Sequence, residues 1–117
     1  MLFRIDPAAT EPLFAQLATQ VRSAAARGDL GPGERLPAAR DLAVSLGINL
    51  HTVLRAYQEL RDEGLIELRR GRGAVVTPLA GQDLAPLRSA VDTVVARARA
   101  FGISDDTTLA LVKEALR

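Results

Sequence analysis

Asn49, His51, Thr52 and Arg55 lie within two turns of one predicted helix, and each can donate to or accept from a base edge or a phosphate. A second group, Arg69, Arg70 and Arg72 with Gly71 and Gly73, is the only dense cationic cluster in the chain. Its glycines would let a backbone come close to a phosphate or a minor groove, and its arginines would supply the charge. Arg40 stands just ahead of another apolar stripe, where it could clamp a phosphate or reach a base. Each feature also has a plain reading. Surface helices are polar outside, an arginine-rich hairpin tip can be a solvated turn, and Arg40 could pair with Asp41 or Glu34.

Catalytic chemistry is poorly supplied. His51 is the one histidine, and no acid stands beside it in the sequence. The Asp105-Asp106 pair reads as helix-start chemistry rather than a metal site. Gly71-Arg72-Gly73 leads into a strand, whereas a phosphate-cradling glycine loop leads into a helix. With no cysteine, disulfides, thiolate catalysis and Cys-ligated zinc are excluded, and a reducing cytoplasm is the expected compartment. The sequence therefore predicts no enzyme, no cofactor, no metal and no membrane partner. No apolar run approaches the roughly 20 residues a bilayer span needs, and the first residues lack a signal peptide's apolar core.

Net charge is +1, from 15 Lys plus Arg against 14 Asp plus Glu, so bulk charge alone does not point to nucleic acid. Fourteen of the 15 cations are arginine, which favours bidentate contacts over point charges. The 117 residues are 48% apolar but only 3% aromatic, so a core must be built mainly from Leu, Val and Ala.

Residues 42–63, which must hold these polar groups, read as helix, turn, helix. Leu42, Ala43 and Leu46 close one stripe, Gly47 breaks it, and Val53, Ala56, Tyr57 and Leu60 share the inner face of the next helix. Ahead of it, Leu13, Phe14, Leu17, Ala18, Val21 and Ala25 recur at helical spacing, with Thr10 as the predicted cap and Glu11 and Pro12 in the first turn. Residues 1–5 alternate weakly, as a short strand or a loose arm would. Residues 28–33 are turn chemistry, and Pro37 holds Leu36 extended before a helix begins near Ala38. Gly64 ends the third helix. Residues 65–69 and 74–77 are β-prone and flank a glycine-containing turn, which predicts a hairpin. Three helices and then a hairpin give an α+β, mainly α, chain with the order of a winged helix-turn-helix.

The predicted domain spans residues 1–77, and residues 78–82 look like a joint. Beyond it, Leu84, Leu87, Val91, Val94, Val95, Ala98 and Phe101 mark a long helix ending at Gly102. Ser104 then caps a final helix carrying Leu109, Leu111, Val112, Ala115 and Leu116. Two apolar-faced helices with no further core to join need another surface to bury, and a second copy of the chain is the natural one. Residues 78–117 are thus the expected dimerisation tail, through Leu84, Leu87, Val91, Val94, Val95, Ala98, Leu109, Val112 and Leu116.

Several linked motifs resemble the GntR family of bacterial transcription factors. They are Pro12-Leu13-Phe14, Gly28-Asp29-Leu30, Pro32-Gly33-Glu34-Arg35-Leu36-Pro37, Ala39-Arg40-Asp41-Leu42-Ala43, Leu46-Gly47-Ile48, Thr52-Val53, Glu63-Gly64-Leu65-Ile66 and Arg70-Gly71-Arg72-Gly73. The likeness covers residues 12–76. Asn49, Thr52-Val53 and Arg55-Ala56-Tyr57, followed by a short two-helix tail, look like the YtrA subfamily. That resemblance implies dimerisation through the tail, repression of a nearby transporter operon and no large effector domain. It implies DNA contacts for Arg40, for Asn49, Leu50, His51, Thr52 and Arg55 at the start of the reading helix, and for Arg70, Gly71 and Arg72 in the wing. Two departures bear on specificity: Leu50 and Leu54 stand where many members carry guanine-reading arginines, and the Asn-Pro-Asn-Thr-Val run common in the YtrA group reads Asn49-Leu50-His51-Thr52-Val53. His51 and Arg55 then become the discriminating side chains, and Leu50 offers an apolar contact to a thymine methyl.

The expected protein is a homodimeric winged-helix repressor on double-stranded operator DNA. The rival is a winged-helix module for protein–protein assembly, its hairpin arginines meeting an acidic partner. A small-molecule effector between the tail helices is a further reading, for which the sequence offers no specific ligand.

Overall fold

The computed structural model describes residues 2–82 and 84–117. The order of elements is α1 (Leu13–Arg27), α2 (Ala39–Leu46), α3 (Leu50–Asp62), β1 (Ile66–Arg69), β2 (Gly73–Val76), a 3-10 turn (Pro78–Gly81), α4 (Ala85–Ala100) and α5 (Asp105–Ala115). This is the α+β winged helix-turn-helix with a two-helix tail. The chain divides into two compact units, Met1–Gln82 and Asp83–Arg117.

In the first unit, α1 packs on α3, and α2 packs on α3 from another side. Leu17, Val21, Val53, Leu60 and Ile66 are the largest fully buried side chains, so the core lies where α1, α3 and β1 converge. The buried positions of α1 follow one face: Leu17, Ala18, Val21, Ala24 and Ala25. Gly47 takes φ +66 at the end of α2, a left-handed turn that an L side chain resists, and it allows α3 to start three residues later. Asn49 caps α3 by accepting from the His51 amide at 2.8 Å. At the other end the Leu65 amide donates to the Leu60 carbonyl and the chain turns into β1.

β1 and β2 are antiparallel, with Ile66 opposite Val76 and Arg69 opposite Gly73. A third extended segment, absent from the predicted elements, joins the outer edge of β2. The amides of Gly33 and Leu36 donate to Val76 and Ala74, and the Val76 amide returns a bond to Glu34. The turn-and-proline stretch before α2 therefore runs extended beside β2, its residue Arg35 forming an isolated bridge to Val75.

Two expectations are corrected at the ends of this unit. Thr10 does not cap α1: Pro12 occupies the cap position, without a side-chain bond, and the helix starts at Leu13. The reason lies in Asp6, whose carboxylate and carbonyl accept the Ala8 and Ala9 amides and turn the chain before it enters the helix. The arm ahead of it is neither a strand nor loose. Gln16 and Gln20 act as a side-chain ladder: each carboxamide accepts from and donates to one arm residue, Asp6 and Arg4 respectively. Phe3 is thereby buried in the core.

The predicted boundary after Thr77 also shifts. The Thr77 hydroxyl donates to the Gly64 carbonyl and accepts the Leu79 amide, and Ala80 packs against the core. The 3-10 turn belongs with the first unit, which extends to Gln82.

In the second unit α4 packs on α5. Ser104 caps α5 through the Thr107 amide, with Asp105 and Asp106 in the first turn, as the sequence predicts. Ala98 is buried where α4 meets α5, so this residue of the predicted dimer face is already covered within its own hairpin. Val95 is half-buried.

Candidate nucleic-acid interface

α3 presents its polar side outward. Val53, Ala56, Tyr57 and Leu60 are buried, and Asn49, His51, Arg55 and Gln58 are exposed. Thr52 is half-buried. Leu50 and Leu54 are half-buried too, and Leu50 packs against the core, so it offers only part of its side chain to a groove. Asn49 has committed its side-chain oxygen to capping, which leaves its amide group as a donor.

The helix-turn-helix angle is held from inside. Tyr57, the single tyrosine, is buried, and its hydroxyl donates to the Pro37 carbonyl ahead of α2 at 2.6 Å. Burial raises its phenol above the usual pKa. Elsewhere in this unit, Nε of Arg22 in α1 donates to both carboxylate oxygens of Glu63, at 2.9 and 3.1 Å. That bond raises the guanidinium pKa, but both side chains are over a third exposed, so the pair contributes under about 1 kcal/mol.

The wing tip is residues 70–72. The Arg72 amide donates to the Arg69 carbonyl, and Gly71 has φ +78, open space surrounding the position of a missing Cβ. Arg69 is not free at this tip, because Glu67 binds it at 2.7 Å. Arg70 and Arg72 are exposed and, among the described residues, have no acid partner. The same is true of Arg40 in the first turn of α2, so neither Asp41 nor Glu34 claims it. An exposed guanidinium without an acid partner can take up an external anion at little desolvation cost.

Two participants were not singled out by the sequence for these roles. Arg35 donates from Nε to the Arg72 carbonyl at 2.9 Å and so ties the wing tip to the segment entering α2. Phe14, expected only to pack, carries the Arg55 guanidinium over its ring at 3.7 Å from the centroid. Neither contact has a local signal, since each joins elements far apart in the chain. Among the described residues no group of His, Cys, Asp and Glu could hold a metal ion. Among the described residues, no helix is long and apolar enough to cross a membrane.

Comparison with known proteins agrees with this geometry. The family described as "Bacterial regulatory proteins, gntR family" matches residues 13–76, which runs from the start of α1 to the end of β2. The chain belongs to the GntR family. It is 42% identical to the HTH-type transcriptional regulator Rv1152 of Mycobacterium tuberculosis over 86% of its own length and 83% of the relative's. It is 38% identical to the HTH-type transcriptional repressor YtrA of Bacillus subtilis, over 65% of this chain and 58% of that one. Among solved structures, YtrA from Sulfolobus acidocaldarius, a GntR-family transcription factor, aligns with TM-score 0.62 and 35% identity, covering 86% of this chain and 99% of that one. AraR(DBD) in complex with operator ORX1 aligns at TM-score 0.55 and 27% identity, over 65% and 93%. This GntR protein is YtrA-like, and as a family member it is a DNA-binding transcriptional regulator. Membership therefore favours DNA over the assembly-module alternative.

Proposed function

We propose that this GntR protein is a homodimeric repressor of an adjacent transporter-type operon, acting on a pseudo-palindromic operator. Each protomer lays the start of α3 in a major groove, with Asn49, Leu50, His51, Thr52 and Arg55 toward the bases. Arg40 and the wing residues Arg70, Gly71 and Arg72 hold the flanking phosphates or minor groove. The observation that carries this reading is the set of exposed arginines at positions 40, 70 and 72, left without acid partners beside the polar face of a family-matched helix-turn-helix. The repressor named among its relatives supports the direction of control.

The tail supports the dimer. Leu87, Val91, Val94, Leu109, Val112 and Leu116 are each more than 40% exposed, far more apolar surface than a 33-residue helical hairpin would leave to water as a monomer, taking residues 85–117. Leu111 and the strongly exposed Phe101 extend the patch beyond the predicted residues. Two-fold symmetry then places half-sites about 34 Å apart or a multiple of it.

A mobility shift with DNA from the promoter of its own operon tests the reading. The expected result is one salt-sensitive shifted species on an inverted repeat, with Arg40→Ala weakening it by roughly 1–3 kcal/mol if that arginine makes a bidentate base contact. A salt-insensitive shift, or none, would overturn it.

A further inference from the structure

Arg55 has a ready partner that it does not use. Glu59 lies four residues further along α3, the ordinary spacing for a helical ion pair, yet among the described residues the two form none. The charge of Glu59 instead acts on Arg22. Arg55 turns to α1 and lies over the half-buried ring of Phe14.

The two choices differ in what they leave available. A carboxylate would consume guanidinium N–H donors and cancel the charge. An aromatic face takes up the flat side of the cation and leaves the donors, which lie in the guanidinium plane, uncommitted. Stacking also removes much of the rotational freedom that a long side chain must otherwise lose when it binds. The result is a cation with its charge intact and its orientation set before any ligand arrives.

We propose that Phe14 is a positioning residue for DNA recognition, its ring presenting the Arg55 guanidinium to a pair of acceptor atoms, either two phosphate oxygens or the acceptor edge of a guanine. This rests on the DNA-reading role given above to α3. It makes α1, an element outside the helix-turn-helix pair, a part of the recognition surface.

The test replaces Phe14 with a series of ring-fluorinated phenylalanines, incorporated at that position alone in the full chain. Fluorination keeps the ring's shape and packing while draining the negative charge from its face, so a purely structural role would not respond. Affinity is measured for duplexes that the wild-type protein recovers from a random-sequence pool, and for one unselected duplex at low salt. Binding should weaken stepwise with fluorine content, by about two- to fivefold at the end of the series. Phe14→Tyr should bind as wild type. In an Arg55→Gln background the series should have no effect. Weakening on every duplex assigns the phosphate, and weakening confined to the recovered duplexes assigns the guanine. Affinity flat across the series, or a loss that persists without Arg55, overturns the proposal. If the wild-type protein recovers no duplex at all, the DNA-reading role of α3 falls and the proposal with it.

Discussion

The hydroxyl of Tyr57 donates to the carbonyl oxygen of Pro37 at 2.6 Å, joining the middle of α3 to the peptide that leads into α2. A carbonyl ahead of a helix has no helical partner, and burial shields the phenol from solvent, so each satisfies the other. The bond fixes how far α2 can tilt from α3. Tyr57→Phe keeps the ring and removes only the donor. It should cost about 0.5–1.5 kcal/mol, read as a lower urea midpoint with an unchanged slope.

Burial of the same phenol predicts an alkaline signature. The folded phenol titrates above its unfolded value of about 10, because burial opposes the charged form. Below that value both states hold the proton and the contribution is complete. As pH rises past it the unfolded state loses its proton first, so stability falls until the folded phenol ionises too. Since Tyr57 is the sole tyrosine and there is no tryptophan, tyrosinate absorbance reports this group alone. Between pH 10 and 12 the wild type should lose stability faster than Tyr57→Phe, and its absorbance titration should stay suppressed until it unfolds.

The glutamine ladder along α1 should be visible by hydrogen exchange. The Arg4 amide is bonded to Gln20 at 2.8 Å and the Asp6 amide to Gln16 at 2.8 Å, in an arm that lacks backbone pairing to either. Gln20→Ala should leave the Arg4 amide exchanging near the rate of free chain while Asp6 stays protected. Equal protection in wild type and variant would show that the arm is held by Phe3 alone.

At the wing, Gly71→Ala meets no neighbouring atom but must adopt φ +78, which costs about 1–2 kcal/mol for a non-glycine residue. The expected readout is weaker duplex binding from a distorted tip. Arg70→Ala should instead weaken binding to all sequences alike and reduce the slope of log affinity against log salt by about 1. An unchanged salt slope would remove Arg70 from the phosphate contacts.

For the tail, Val94→Glu places a charge in the exposed patch, beside the covered Ala98. Light scattering should show a dimer for the wild type and a monomer for the variant at the same concentration, with thermal unfolding of the first unit unchanged. Truncation after Gln82 should do the same. Truncation after Thr77 should also destabilise, because it removes the turn that packs on α1.

The sequence by itself determined the elements and their punctuation. Gly47, Asn49, Gly64 and Ser104 act through backbone preferences and capping bonds that close within a few residues, so their effects are written locally. The outer face of α3 and the arginines of the wing followed from the same helical and hairpin periodicities, and the linked motifs carried the family. Only the tertiary structure decided which polar groups are spent and which remain free. Leu50 is partly drawn into the core. Arg69 is neutralised by Glu67 while Arg70 is not. Ala98 is covered by its own hairpin, and the extended segment carrying Arg35 holds the wing. Arg55 could have paired with Glu59 by spacing alone, and it meets Phe14 only because the packing of α1 on α3 brings a ring to that place. Local preference is a property of neighbouring residues. The choice among competing partners is a difference between contact energies, and it exists only once distant parts of the chain have been brought together.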